Sequence, residues 1–225
     1  MIEAALYLVG LPIGNLEDIT LRALRILREV DFIACEDTRR TLKLLNYYEI
    51  KKRLVSCHAY NEKQKVPFLT EEIKKGKSVA FVVDSGMPLI SDPGALLVSE
   101  ALQMGIKITV IPGPSALVAA GVLSGFFMDK FTFYGFLPKK GKVRKEMLSL
   151  ISQSSIPSII YESPQRISLT LLELSEYCDP DREIAVAKEL TKLNENVYKI
   201  SFKDINEFLK TFVAKGEFVL VVGPR

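Results

Sequence analysis

Short apolar runs alternate along this chain with stretches whose apolar residues recur at helical spacing. "AALYLVG" (4–10), "DFIAC" (31–35), "RLVSCH" (53–58), "SVAFVVD" (78–84) and "KITVIPG" (107–113) read as five strands. The stretches between them, "ITLRALRILREV", "TRRTLKLLNYY", "VPFLTEEIKKG" and "GALLVSEALQMG", read as helices, with Asp18 as the expected cap of the first and Gly76 as the stop of the third. "PSALVAAGVLSG" opens one more helix after the fifth strand. Strict strand–helix alternation predicts a doubly wound α/β domain with a mainly parallel sheet.

The second half follows a different order. "KFTFYGFLP", "PSIIYESP", "EIAVAKEL", "NVYKISF" and "EFVLVVGP" read as strands, and "KKGKVRKEMLSLI", "QRISLTLLELSEYC" and "KDINEFLKTFVAKG" as helices. Two strands meet around residues 193–197 with no helix between them, so this sheet is expected to be mixed. The reading is therefore two α/β domains, 1–115 and 116–225, with the chain passing from one to the other in the region 112–125.

Composition narrows the function classes. The 225 residues carry a net charge of only +3, so a basic surface for a polyanion has to be local. Cys35, Cys57 and Cys178 lie far apart and His58 is the one histidine, which gives no zinc-ligand spacing and no disulfide framework. A reduced, cytoplasmic setting follows, with no bound metal. The N-terminus lacks the basic start of a signal peptide, and no apolar run approaches the ~20 residues of a membrane span.

In open α/β sheets, ligands bind beyond the carboxyl ends of the strands. That rule selects "GLPIGN" (10–15), "CEDTR" (35–39), "DSGMPLISDPG" (84–94), "PGPSA" (112–116), "YESP" (161–164) and "AKELTK" (187–192). Six turn-rich exits at equivalent positions point to one cleft. Neither a G-x-G-x-x-G fingerprint nor a P-loop occurs, which argues against a ligand held by its pyrophosphate. Ser115 and Ala116, at a strand-to-helix start, offer unpaired backbone N–H groups, and Asp84 offers a carboxylate. This pairing suits a ligand that carries a cation together with a carboxylate or an adenine edge.

Taken in order, "LYLVGLPIGNLEDITLRAL", "CEDTRRT", "VVDSGMPLISDPG", "VIPGPSAL", "YESPQRI" and "AKELTKLNE" resemble the ribosomal RNA small subunit methyltransferase I family, within the tetrapyrrole-methylase superfamily. The resemblance spans nearly the whole chain. It implies two α/β domains of tetrapyrrole-methylase type with a cleft between them, S-adenosylmethionine as methyl donor, and a homodimer. It also implies methylation of a cytidine ribose 2′-hydroxyl in the decoding region of 16S rRNA, within the small ribosomal subunit. Carried over motif by motif, it implies donor contacts at Asp84 and Met87, with Pro88 and Ile90 shaping their loop, at Ser115 and Ala116, and at Pro12 and Ile13. Tyr161 and Leu190 would close over the adenosine, with a further contact near Pro224. Leu11, and Val83 and Ser85 beside Asp84, depart from the family pattern, as does the lone histidine of "CHAYNE".

Proton removal from a ribose hydroxyl calls for a base or a nearby charge. The residues for it are Glu36, Asp37, Lys188 and Glu189. Lys188 serves either as a base, if burial depresses its pKa, or as a charge that stabilises an alkoxide. Asp37 or Thr38 has the competing role of helix cap, Glu189 that of an ion-pair partner, and His58 that of a hydrogen-bonded strand-end residue. "PKKGKVRK" places Lys139, Lys140, Lys142, Arg144 and Lys145 within seven positions, a stretch suited to tracking phosphates, and Arg39, Arg40 and Lys43 are expected to extend that surface. Two other functions remain open at this point: a methylase of a small tetrapyrrole-type substrate, and a non-catalytic RNA-binding module.

Overall fold

The computed structural model describes residues 2–225. They form two compact units, one ending at Ser115 and the other beginning at Ala116.

In the first unit the strands are β1 (Leu6–Val9), β2 (Phe32–Cys35), β3 (Arg53–Ser56), β4 (Val79–Val82) and β5 (Ile108–Ile111). They form one wholly parallel sheet in the order β3-β2-β4-β1-β5. The helices α1 (Leu21–Glu29), α2 (Thr38–Tyr47), α3 (Glu62–Lys74) and α4 (Ala95–Gln103) make the crossovers. Every residue of β1, β2 and β4 is buried, because helices cover both faces. Alternate side chains sort to opposite sides. Tyr7, Val9, Ile33, Cys35, Ala80 and Val82 pack with Ala23, Ile26 and Leu27 of α1, while Leu6, Leu8, Phe32, Ala34, Val79 and Phe81 pack with Leu69 and Ile73 of α3 and Leu97 of α4. The chain turns one way from β1 to β2 and the other way from β4 to β5, so the exits of β1 and β4 diverge from neighbouring strands at the switch point where ligands bind.

Two helix starts differ from expectation. Thr20, not Asp18, caps α1, its hydroxyl accepting the Ala23 N–H at 3.0 Å, because Asn15 caps a separate 3-10 turn over Leu16–Asp18. Helix α3 begins at Glu62, a turn ahead of the expected start, and carries Pro67 inside it. The added turn has work elsewhere: Glu62 Oε1 accepts the Leu97 N–H at 3.1 Å, in the first turn of α4, whose own cap position, Gly94, has no side chain. Gly94 sits at φ 121°, and a Cβ there would fall 2.6 Å from the Phe81 ring.

The second unit holds α5 (Ala116–Leu123), β6 (Thr132–Phe136), α6 (Lys142–Gln153), β7 (Ser158–Glu162), α7 (Ile167–Tyr177), β8 (Glu183–Lys188), β9 (Asn196–Ser201), α8 (Ile205–Thr211) and β10 (Phe218–Val222). Its sheet runs β6-β7-β10-β8-β9, with β6 and β7 parallel and every other pair antiparallel, the mixed arrangement expected from the helix-free β8–β9 connection. Leu148, Ile151, Leu171, Leu174 and Ile205 of α6, α7 and α8 cover one face, and α5 packs on β7 and β10.

The exits of β1 and β5 come so close that neither tolerates a side chain. A Cβ on Gly10 would lie 2.5 Å from Met87 Sδ and 2.8 Å from Gly113 Cα, and one on Gly113 would lie 2.9 Å from the Gly10 backbone. Gly10→Ala is therefore expected to destabilise the chain by about 1–3 kcal/mol, as overpacking against backbone does. Urea unfolding followed by circular dichroism checks this, and an unchanged midpoint would contradict it.

Candidate functional site

The carboxyl edge of the first unit's sheet is built from four exits. After β1, the Leu11 N–H donates to Gly86 O at 2.9 Å and the Gly86 N–H returns a bond to Leu11 O at 3.1 Å. This two-bond bridge ties the β1 loop to the β4 loop just beyond the switch point. The β4 loop is strongly bent: Leu89 and Ser91, neither of them glycine, hold φ of 71° and 66°. Such left-handed residues cost free energy and persist where surrounding structure fixes them. Pro12, Ile13 and Pro88 are buried, Met87 is half-buried over Gly10, and Ile90 is exposed. Ser115 and Ala116 stand half-buried where α5 begins, and the first-turn N–H groups there have no carbonyl within their own helix.

The carboxylates of this edge meet in one cluster. Asp84 Oδ1 accepts the Asp37 N–H at 3.2 Å, and Oδ2 pairs with Arg40 at 3.3 Å. Glu36 Oε2 accepts the Asp84 N–H over a long 3.4 Å. Burial raises the Glu36 carboxyl above its ordinary range, and the Asp84 charge adds to it. Burial likewise raises Asp84, although Arg40 opposes it. Asp37 behaves differently. It caps α2, accepting the Arg39 N–H at 2.8 Å, and its other oxygen holds the Arg39 guanidinium at 2.7 Å. These bonds hold Asp37 far below the carboxylate range, so it is a poor proton acceptor and its candidacy as a base gives way to the capping role. Beside them, Glu36, Asp37, Ser56, His58, Tyr60 and Asp84 line a cavity of about 410 Å³. Its β3 side is fixed by Asn61, whose side chain accepts the His58 N–H at 2.8 Å and donates to Ser56 O at 3.3 Å.

Asp92 is the acid that sequence reasoning missed, because "SDPG" reads as turn chemistry. It has no hydrogen bond or ion pair among the described residues. The residue is exposed as a whole, but crowding around its carboxyl, with the Glu36 and Asp84 charges second, pushes that group up to about 6.

In the second unit, Glu189 is part of the scaffold. Its backbone sits at φ 50°, and Oε1 accepts Lys192 Nζ at 3.0 Å and the Glu217 N–H at 2.8 Å. Burial raises its pKa, but those two donors outweigh it and leave the carboxyl low, which disqualifies Glu189 as a base. Lys188 Nζ donates to the Val213 carbonyl at 3.1 Å and has no carboxylate within ion-pair distance among the described residues. Tyr161 is half-buried, packed edge-on to Phe133 and Phe136, and Leu190 is buried.

The basic stretch separates into two kinds of residue. Lys139, Lys140, Lys142 and Lys145 are exposed, whereas Arg144 is only 3% exposed. Arg144 pairs with Glu173 and donates to Thr170 Oγ1 at 2.8 Å and to the Pro138 carbonyl at 2.9 Å. It therefore cannot reach an RNA phosphate, and its expected role is corrected to that of an internal tie. Arg166 does the same work from the other side, pairing with the fully buried Glu162 at 2.8 Å and donating to Leu137 O at 2.9 Å. Together they fix the carbonyls just ahead of Lys139. The expected extension through Arg39 and Arg40 is also reduced, since Asp37 and Asp84 pair with both, which leaves Lys43 exposed and unpaired among the described residues.

No cluster of three metal-ligating side chains occurs among the described residues, and no helix among them is long and apolar enough to cross a membrane. The three cysteines are buried, and burial raises each thiol.

The Asp92 shift has a sign that can be tested. A carboxyl whose folded pKa lies above its unfolded value destabilises the fold once it ionises, so its penalty is full above about pH 6 and is lost progressively as pH falls from there to the unfolded value of 3.8. Asp92→Asn is expected to raise the melting temperature at pH 8, and the gain should shrink steadily as pH falls below about 6, to nothing at about pH 3.5. A gain that does not change with pH would contradict the assigned cause.

The family model for Tetrapyrrole (Corrin/Porphyrin) Methylases matches residues 5–206. A protein of Thermotoga maritima called ribosomal RNA small subunit methyltransferase I is 46% identical over 223 residues, covering 98% of each chain. A Coprothermobacter proteolyticus protein of the same name is 47% identical over 220 residues, covering 97% of each. Among solved structures, uroporphyrin-III C-methyl transferase from Thermus thermophilus, complexed with S-adenyl homocysteine, superposes with a TM-score of 0.68 over 97% of each chain at 19% identity, a likeness of fold. The motifs, the parallel-plus-mixed pair of sheets and these full-length matches agree: the chain belongs to the ribosomal RNA small subunit methyltransferase I family of tetrapyrrole methylases.

Proposed function

We propose that this protein transfers a methyl group from S-adenosylmethionine to the ribose 2′-hydroxyl of a cytidine in the decoding region of 16S rRNA. It would act as a cytoplasmic homodimer with the small ribosomal subunit as its substrate. The observation that carries the reading is the cradle at the β1, β4 and β5 exits, in a chain 46% identical over nearly its full length to a protein named for rRNA methylation.

The cradle suits such a donor. Gly10 and Gly113 let the β1 and β5 exits close on each other and on Met87, which fixes the backbone of the cradle. Ile13, Met87 and Pro88 offer apolar surface, Asp84 a half-buried carboxylate for a cationic or hydroxyl-bearing part, and Ser115 and Ala116 N–H donors. When bound, the donor would supply an electrophilic methyl group, its sulfur leaving as the neutral thioether as the 2′-oxygen takes the methyl and the hydroxyl proton passes to solvent water. The protein's own contribution is positioning, which can account for much of the acceleration, together with disposal of the hydroxyl proton. Among the four proton-handling candidates, Lys188 is the cation whose charge no carboxylate neutralises, and we assign it to the developing alkoxide. Lys139, Lys140, Lys142 and Lys145 would track the RNA backbone from the loop that Arg144 and Arg166 pin.

Methyl transfer from labelled donor to small subunits lacking the modification, followed by nuclease mapping, tests the reading. Label is expected on a cytidine ribose, and label on a base would overturn the 2′-O assignment. Lys188→Met is expected to lower kcat by roughly 10²–10⁴-fold, with donor affinity by calorimetry retained. Replacing Lys139, Lys140 and Lys142 together with Glu should weaken subunit binding and flatten its salt dependence while leaving donor affinity unchanged. Equal loss of both affinities would point to a folding defect instead.

A further inference from the structure

The 410 Å³ cavity at the β2, β3 and β4 exits shares only Asp84 with the residues proposed to hold the methyl donor. Its volume lies in the range of small-ligand sites and admits a nucleobase with its ribose. Two features of its wall point to the occupant.

The first is Tyr60. Its side chain is 97% exposed, an unusual place for an aromatic ring on a hydrogen-bonded turn. The backbone beneath it is anchored, with the Tyr60 N–H donating to His58 Nδ1 at 3.3 Å, and the His58 ring meets the tyrosine edge-on at 6.1 Å. One face of an aromatic ring is thus offered to solvent from a fixed base, which is how single-stranded RNA bases are stacked.

The second is Glu36. Arg39 neutralises Asp37 and Arg40 neutralises Asp84, but Glu36 has no cation within ion-pair distance among the described residues, and its one hydrogen bond is the long 3.4 Å contact from the Asp84 N–H. A half-buried carboxylate in this state lacks donors. The raised Glu36 pKa has the same origin.

We infer that this cavity receives the base of the target nucleotide, with Tyr60 stacking on the ring and Glu36 accepting a hydrogen bond from an exocyclic amine on the base edge. An ionised carboxylate only accepts, so the wall favours an amino-bearing edge such as that of cytosine and opposes the O4 acceptor of uracil. Glu36 then serves as a specificity residue rather than the proton acceptor considered from sequence. The assignment rests on the RNA methyltransferase reading and adds the base-recognition subsite to it.

The test uses small subunits reconstituted with rRNA carrying either cytidine or uridine at the modified position. Wild-type enzyme is expected to favour cytidine at least tenfold in kcat/KM, the scale of one good base-edge contact. Glu36→Gln, whose amide can also donate, is expected to bring the two substrates within about threefold. Tyr60→Ala should raise KM for the subunit roughly tenfold without changing donor affinity, and Tyr60→Phe should restore it, since stacking needs the ring alone. Tyr60 lies outside the core, so its removal does not threaten the fold. The inference is overturned if Glu36→Gln slows both substrates equally, or if Tyr60→Ala leaves KM unchanged. Donor binding without methylation of either subunit would instead remove the RNA reading itself, and the subsite with it.

Discussion

The contact on which the carboxyl edge of the first sheet depends is the one between Gly10 and Gly113. Strand β1 lies between β4 and β5, and its exit must pass within van der Waals distance of the β5 exit before the two loops part. Because neither residue has a Cβ, the gap closes. Met87 can then lie over Gly10, and the Leu11–Gly86 bridge can form. From there the β4 loop is held at both ends, by the bridge at Gly86 and by the crowded fit of Gly94 against Phe81. Its left-handed residues, Leu89 and Ser91, follow from that double constraint. The position of Asp84 follows from it too, since the carboxylate leaves the strand just before the bridge.

Neighbouring acids on this edge differ in behaviour for reasons that lie in their partners. Glu36 and Asp37 are consecutive, yet one is pushed up and the other held down. Asp37 faces the start of α2, where N–H groups and Arg39 converge on it. Glu36 faces inward, toward Asp84, with little to balance it. The helix start thus separates two adjacent carboxylates into a structural one and a chemically available one. The same logic divides Glu189, locked by Lys192 and the Glu217 N–H, from Lys188, bonded only to a carbonyl.

The architecture was legible in the sequence because hydrophobic period changes at nearly every element boundary, and because β1, β2 and β4 are apolar on both faces, as a covered parallel sheet requires. The motifs at the strand exits identified the family. What sequence could not supply was partnership. Arg144 reads as one more cation in "KKGKVRK", but position 144 faces α7, where Glu173 and Thr170 wait. Asp18 reads as a helix cap because nothing in the string reveals the 3-10 turn that Asn15 starts before it. Asp92 reads as a turn residue because "SDPG" is turn chemistry and Glu36, one of the two acids whose charges reach it, is distant in sequence. For Arg144 the deciding contact is between residues that no local pattern connects.

The bond from Glu62 to the start of α4 links two loops that have separate jobs. Glu62 directly follows Asn61, which shapes the turn carrying His58 and Tyr60, while the helix it caps begins where the bent β4 loop ends. One carboxylate thus sets the spacing between these two turns. An insertion in either would leave Glu62 out of reach and the helix start uncapped. Exchanging side chains on this edge leaves that spacing intact, whereas changing either loop's length does not.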